Sequence, residues 1–168
     1  MHWLSPPARN ALLRPPHFTI LNSSMKMGDL TPLHAVVFRV GGLVCALPSG
    51  TVREILPAGR ATRIPGAGVE VAGLVNVRGR MVTAVDAHAV LGQPVPDESA
   101  LLLLDRHGTA AGLAVGEVLD FLEVPGATSR DEPPAGIDAR LVQGTGNWNG
   151  QRMLLLDIDA LLSPYLGG

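Results

Sequence analysis

Residues 73–92, GLVNVRGRMVTAVDAHAVLG, read as two strands joined by a tight turn and followed by a short helix. Two apolar runs flank an Arg-Gly-Arg turn at residues 78–80, which is the pattern of a β-hairpin. The turn needs Asn76 and Gly79 for its backbone, because both residue types tolerate a positive φ angle. The backbone has no such need of Arg78, so we expect the arginine to serve another purpose.

The hairpin and its helix recur near the C-terminus. With an offset of 71 residues, NVRGR aligns with NWNGQ at residues 147–151, and Asn149 replaces Arg78. The replacement supports the view that this turn forms without an arginine. Asp86 and Asp157 coincide in the alignment, and we predict that each caps the short helix that follows it.

An earlier hairpin is duplicated as well, with an offset of 66 residues. The matched positions across the two offsets are Gly42 with Gly108, Leu47 with Leu113, Gly50 with Gly116, Val52 with Val118, Leu56 with Leu122, Gly73 with Gly144, Asn76 with Asn147, Gly79 with Gly150, Ala89 with Ala160 and Leu91 with Leu162. We therefore interpret the body of the chain as a tandem duplication of an all-β unit of roughly 65 residues, which is marginal alone and should share a core with its copy. Strands this short and glycine-rich favour small, strongly bent barrels.

Composition excludes several classes of function. Charged residues make up 17% of the chain and the net charge is −2, which argues against a nucleic-acid-binding protein. Lys26 is the only lysine, so the body of the chain cannot supply the lysine of a P-loop or a Schiff base. Cys45 is the only cysteine and reads as a small core residue, which leaves no internal disulfide.

The N-terminal residues 1–33 differ from the rest in being rich in Pro, Ser and Asn without a sustained period. We predict a mostly disordered tail. Three translation starts, Met1, Met25 and Met27, stay open.

Four motifs carry a resemblance to a known family. They are VREIL, TRIP, VAGLVNVRGRMVTAVD and GEV, at residues 52–56, 62–65, 71–86 and 116–118. Together they resemble the CheW family of chemotaxis coupling proteins over about residues 35–162. The resemblance implies an all-β fold of two docked SH3-like five-stranded β-barrels with short helices, within a single CheW-like domain at residues 34–168. The first barrel would cover about residues 34–98, with its C-terminal strand open to exchange, and the second about residues 99–168.

The resemblance also implies a function. Proteins of this family are cytoplasmic adaptors that join the cytoplasmic tip of a methyl-accepting chemoreceptor to the regulatory domain of a CheA-type histidine kinase, in chemotaxis or a related signalling pathway. It implies no catalytic residue, no cofactor, no metal, no nucleic acid and no insertion into a membrane. Two alternatives stay open on the same fold: a sensor that binds a small molecule in the cleft between the barrels, and an inhibitor that binds a single partner.

The predicted partner-binding residues cluster around the opening hairpin. They are Arg78, Asn76, Gly79, Arg80, Ile55, Val71 and Leu74. A guanidinium both donates several hydrogen bonds and packs on apolar surface, which suits a protein interface. The alternative for Arg78 is a solubilising role or an internal ion pair with Asp86 or Glu54.

Overall fold

The computed structural model describes residues 33–57, 59–96, 99–124 and 132–166. The predicted disordered tail lies outside the described residues, apart from Leu33, which begins the first strand. The strands are β1 (Leu33–Val40), β2 (Leu43–Pro48), β3 (Val52–Pro57), β4 (Val71–Val77), β5 (Arg80–Asp86), β6 (Ala100–Arg106), β7 (Thr109–Val115), β8 (Val118–Val124), β9 (Val142–Trp148) and β10 (Gln151–Leu156). Two short helices follow β5 and β10, namely α1 (Ala87–Val90) and α2 (Ile158–Leu162).

The strands form two five-stranded sheets, which confirms the all-β prediction. The first sheet has the order β8-β1-β2-β10-β9, and the second has the order β3-β6-β7-β5-β4. Each sheet therefore holds the first hairpin of one copy between strands of the other copy, and the parallel pairs β10 with β2 and β5 with β7 join them. The barrel boundary near residue 98 stays a prediction about the repeat, and the hydrogen-bonded sheets run across it.

The main core lies between the two sheets. On β1, Val36, Phe38 and Val40 face this core, while Ala35 and Val37 face the other side of the first sheet. All five are at most 1% exposed, because successive side chains of a central strand point to opposite faces and both faces are covered here. This explains why the strand reads as a continuous apolar run and not as an alternating one.

Neither sheet closes into a barrel through backbone pairing of the described strands, since β8, β9, β3 and β4 are edges. Both sheets nevertheless curl until their edges meet. In a flat five-stranded sheet the outer strands would lie roughly 19 Å apart. Yet Arg78, just beyond β4, is within 2.7 Å of Glu54 on β3, and Trp148 on β9 is 3.1 Å from Asp120 on β8. Side chains bridge the edges that the backbone leaves open.

Each sheet is also attached to the helix of the other at a hairpin tip. The β1–β2 turn donates from the amide of Gly42 to the side chain of Gln93, just after α1, at 3.1 Å. At the tip of the β6–β7 hairpin, Arg106 donates to Asp159 of α2 at 2.9 Å and to the hydroxyl of Ser163 at 2.6 Å. The Arg106 guanidinium holds the pKa of Asp159 below its usual range. One of these contacts is therefore uncharged and the other is ionic.

The predicted helix caps are confirmed. The side chain of Asp86 accepts a hydrogen bond from the amide of His88 at 2.9 Å. The side chain of Asp157 accepts from the amides of Asp159 and Ala160. Both aspartates satisfy backbone donors that a helix start leaves unpaired.

Candidate partner-binding surface

The β4–β5 turn is built by a side chain from outside it. The side-chain oxygen of Asn76 accepts a hydrogen bond from the amide of Gly79 at 2.8 Å. The left-handed residues are Arg78, with φ 51°, and Gly79, with φ 84°. The expectation that Asn76 itself takes a positive φ was therefore wrong: it lies within β4, and its amide side chain, not its backbone, shapes the turn.

The same device recurs at two other hairpins. Asp105 accepts from the amide of Gly108, and Asn147 accepts from the amide of Gly150, both at 2.9 Å. The residues at the first left-handed position there are His107 and Asn149. Arginine, histidine and asparagine thus occupy equivalent turn positions, and only asparagine has an intrinsic preference for that backbone conformation.

Arg78 forms a two-pronged ion pair with Glu54. The two guanidinium nitrogens lie 2.7 and 2.6 Å from the two carboxylate oxygens. The side chain of Arg78 is 73% exposed and that of Glu54 is 29% exposed. The hydrogen bond and the negative charge of Glu54 raise the pKa of Arg78. Of the two internal partners considered, Glu54 is the one used, while Asp86 is occupied by His88.

The remaining predicted residues are unequally placed around this pair. Arg80 is exposed at the start of β5, next to Met81, which is 56% exposed. Leu74 and Ile55 are half-buried, and Ile55 packs against the core between the sheets. Val71 is only 8% exposed. The structure therefore brings Asn76, Arg78, Gly79 and Arg80 together at one tip and sets the three apolar residues back from it.

The TRIP segment fixes the edge strand β4 from outside. Thr62 and Leu74 exchange two backbone hydrogen bonds, each 2.8 Å long. Gly73 passes so close beneath that a Cβ atom there would lie 2.2 Å from the carbonyl oxygen of Thr62, at a φ of 134°. This glycine is required by the close approach, and the covered edge is less open to unwanted strand pairing.

Sequence reasoning passed over Met81. It lies one residue beyond the Arg-Gly-Arg turn on β5, where the alternation of the strand points it away from the buried Val82. That alternation was the available signal. An exposed methionine between charged neighbours adds an adaptable apolar contact to the arginine tip.

No group of three or more histidine, cysteine, aspartate or glutamate side chains is placed to hold a metal within the described ranges. Burial raises the pKa of Cys45 to about 12, so its thiol stays protonated and unreactive. A cleft of about 650 Å³ lies between the sheets, beside Arg39, Gly116 and Glu117. No helix in the described part of the chain has the length and apolar character to cross a bilayer.

Comparisons with known proteins agree with this architecture. The family model of the CheW-like domain matches residues 34–164. The chain is 34% identical over 100 residues to "Protein PilI" of Pseudomonas aeruginosa, an alignment that spans 58% of this chain and 56% of PilI. It is 25% identical to the "Probable chemotaxis protein CheW" of Rhizobium etli over 83% of this chain and 92% of that protein. The crystal structure of the scaffolding protein TtCheW from Thermoanaerobacter tengcongensis superimposes with a TM-score of 0.71 and 21% identity, over 83% of this chain and 91% of that one.

Proposed function

We propose that this chain, which belongs to the CheW-like domain family, is a non-enzymatic adaptor that couples chemoreceptors to a CheA-type histidine kinase. Members of the family act as scaffolds, and the proposal extends that role to named partners. In this proposal the adaptor is cytoplasmic, as its receptor and kinase partners require, and the curled sheets act as SH3-like modules. Binding both partners raises their effective concentration, so that a receptor rearrangement can bias the kinase.

The observation that supports the proposal best is the conformation of Arg78. Its φ of 51° is unfavourable for an arginine and suits the asparagine of the second copy. A residue that breaks a local rule while standing 73% exposed at a hairpin tip is expected to serve binding. Glu54 holds the guanidinium in one orientation, which reduces the entropy lost when a partner binds.

The partner surface we propose combines this charged tip with neighbouring apolar side chains. Arg78 and Arg80 would orient the partner, and Met81 would supply burial at the tip. Ile55 and Leu74 would contribute their exposed edges, while the buried Val71 would support the strand from behind. A small apolar centre with a polar rim is the usual composition of such interfaces.

A charge exchange separates direct contact from internal support. Arg78→Glu is expected to abolish co-purification with the regulatory domain of a CheA-type kinase or with a receptor fragment, each tested alone. The double variant Glu54→Arg with Arg78→Glu rebuilds an ion pair with the charges reversed. If Arg78 contacts the partner, the double variant stays inactive; restored binding would contradict the direct contact.

A matched control is available in the second copy. Asn149→Glu places the same charge at the equivalent turn, and we expect it to leave both interactions intact. Wild-type binding by Arg78→Glu to kinase and receptor alike would overturn the proposal for this surface. Loss of only one interaction would identify which partner the arginine contacts.

The pathway is proposed more broadly. The similarity to PilI favours a chemosensory system related to pili beside chemotaxis proper. Deleting the gene and scoring surface-attached twitching and swimming separately distinguishes the two, and a defect in neither would contradict an adaptor role.

A further inference from the structure

We propose that the second sheet encloses a binding site for a small apolar molecule that carries a hydrogen-bond donor, such as a protonated primary amine. The site is a cavity of about 180 Å³ on the face of the second sheet that points away from the core between the sheets. It is called the inner cavity here, and its lining includes Ala61, Ala72, Ala84, Leu101, Asp86 and His88. It is distinct from the arginine tip and from the cleft between the sheets.

The inner cavity exists because the two copies filled their curled sheets differently. In the first sheet, Leu155 and Trp148 pack into the equivalent space. At the matched positions of the second sheet stand Ala84 and Val77. Leu101 replaces Ala35 and restores part of the lost volume, but a space remains.

The size of that space selects the ligand. Dry apolar cavities of about 150 Å³ in proteins accept a molecule the size of benzene. The inner cavity is of the same order and is walled mainly by small apolar side chains. It opens to solvent beside Val95, which is 67% exposed, so a ligand can enter without unfolding the sheet.

Two polar groups in the wall lack a donor. One carboxylate oxygen of Asp86 accepts from the amide and the ring Nδ1 of His88, at 2.9 and 3.0 Å. The other oxygen has no hydrogen-bond partner among the described residues, and the Asp86 side chain is 19% exposed. Because Nδ1 donates to Asp86, Nε2 of the neutral ring is an acceptor, and it too has no partner in the described part of the chain.

The polarity of these groups defines the ligand chemistry. His88 is 1% exposed, and a buried unsatisfied polar atom is unfavourable. The free oxygen of Asp86 at the cavity wall carries negative charge and accepts hydrogen bonds only. A protonated amine matches it in both charge and direction, while the apolar body of the ligand fills the space beside Ala72 and Ala84.

Benzylamine is a suitable probe, and toluene is its counterpart without the donor. Titrating each into the full-length protein at neutral pH, with amide chemical shifts as the readout, should give saturable shifts at Ala72, Ala84 and Leu101. We expect a dissociation constant for benzylamine of about 1 mM or tighter, and weaker binding of toluene. Absence of saturation up to ~10 mM benzylamine would overturn the proposal.

Ala84→Leu installs the residue that the first sheet carries at the matched position. It should abolish benzylamine binding while leaving the thermal midpoint of the free protein unchanged or higher. Ala72→Leu is a second filling variant in case the first perturbs folding. Asp86→Asn keeps the helix cap and removes the charge, and it should weaken benzylamine about tenfold but leave toluene unaffected. Unchanged benzylamine affinity in the filled variants would place binding elsewhere and refute the inner cavity.

Discussion

The two curled sheets are closed by different side chains at equivalent places. Glu54 in the second sheet and Asp120 in the first coincide at the offset of 66 residues, and both carboxylates face the opposite edge of their sheet. Glu54 accepts from the exposed Arg78, whereas Asp120 accepts from the half-buried Trp148. One closure is an ion pair in water and the other is packing combined with a hydrogen bond.

The difference shows how a duplicated unit divides its tasks. The indole of Trp148 contributes apolar contact to the cluster inside the first sheet, so that closure stabilises the fold. An exposed ion pair contributes little to stability because water and salt screen it. The second sheet has therefore kept a charged, accessible tip and a less completely filled interior, while the first sheet supplies stability.

The largest expected effect comes from breaking the packed closure. Trp148→Ala removes the indole and leaves Asp120 without its donor, which should lower the free energy of unfolding by about 3 kcal/mol. Urea denaturation followed by circular dichroism measures the change. Arg78→Ala is the matched variant in the second sheet and should cost much less. Equal losses in the two variants would remove the distinction between the closures.

A medium effect is expected from the side chains that build the turns. Asn76→Ala and Asn147→Ala each remove one side-chain hydrogen bond to a glycine amide, at 2.8 and 2.9 Å. Each should destabilise the protein by about 1 kcal/mol in the same denaturation assay. Because the two turns share their geometry, the two losses should agree. A much larger loss for Asn76→Ala would mean that the opening hairpin depends on this bond in a way its copy does not.

Exchanging the turn residues should have a smaller effect on stability. Asn149→Arg forces an arginine into a φ of 49° and should cost about 0.5–1 kcal/mol. Arg78→Asn relieves the same conformation and loses only an exposed ion pair, so its unfolding midpoint should match that of the wild type. Its partner binding should fall nonetheless. A marked destabilisation by Arg78→Asn would mean that the arginine is a structural residue.

The smallest effect concerns acid. The pKa of Asp159 is held down by Arg106 in the folded protein, so its contribution is fully present above the usual aspartate pKa of about 3.9 and is lost as pH falls through the lowered value. Asp159→Asn should therefore show a shallower loss of thermal midpoint below about pH 4 than the wild type does. Gln93→Ala breaks the uncharged contact at the other hairpin tip and should leave the pH dependence as it is. Parallel acid profiles for wild type and Asp159→Asn would contradict the ionic contact.

Much of the fold could be predicted because it is written in local patterns. Apolar runs separated by glycine turns define the strands, and Asp86 and Asp157 mark the helix starts. The duplication is legible because turn and cap residues obey backbone rules at both offsets. The pairing of the first hairpin of each copy with strands of the other is not legible in this way, because either partner buries the same apolar faces.

The site shows the same division between local and distant information. The sequence by itself determined that the residue at position 78 is free of the needs of its turn, since the second copy forms an equivalent turn with asparagine. Only the tertiary structure decided that Glu54, from the far edge of the sheet, reaches Arg78, and that Ala84 and Val77 leave a space where Leu155 and Trp148 fill theirs. Backbone conformation is set by neighbours along the chain, whereas ion pairs and cavities depend on how far a sheet curls, and that curl is a property of all ten strands packed together.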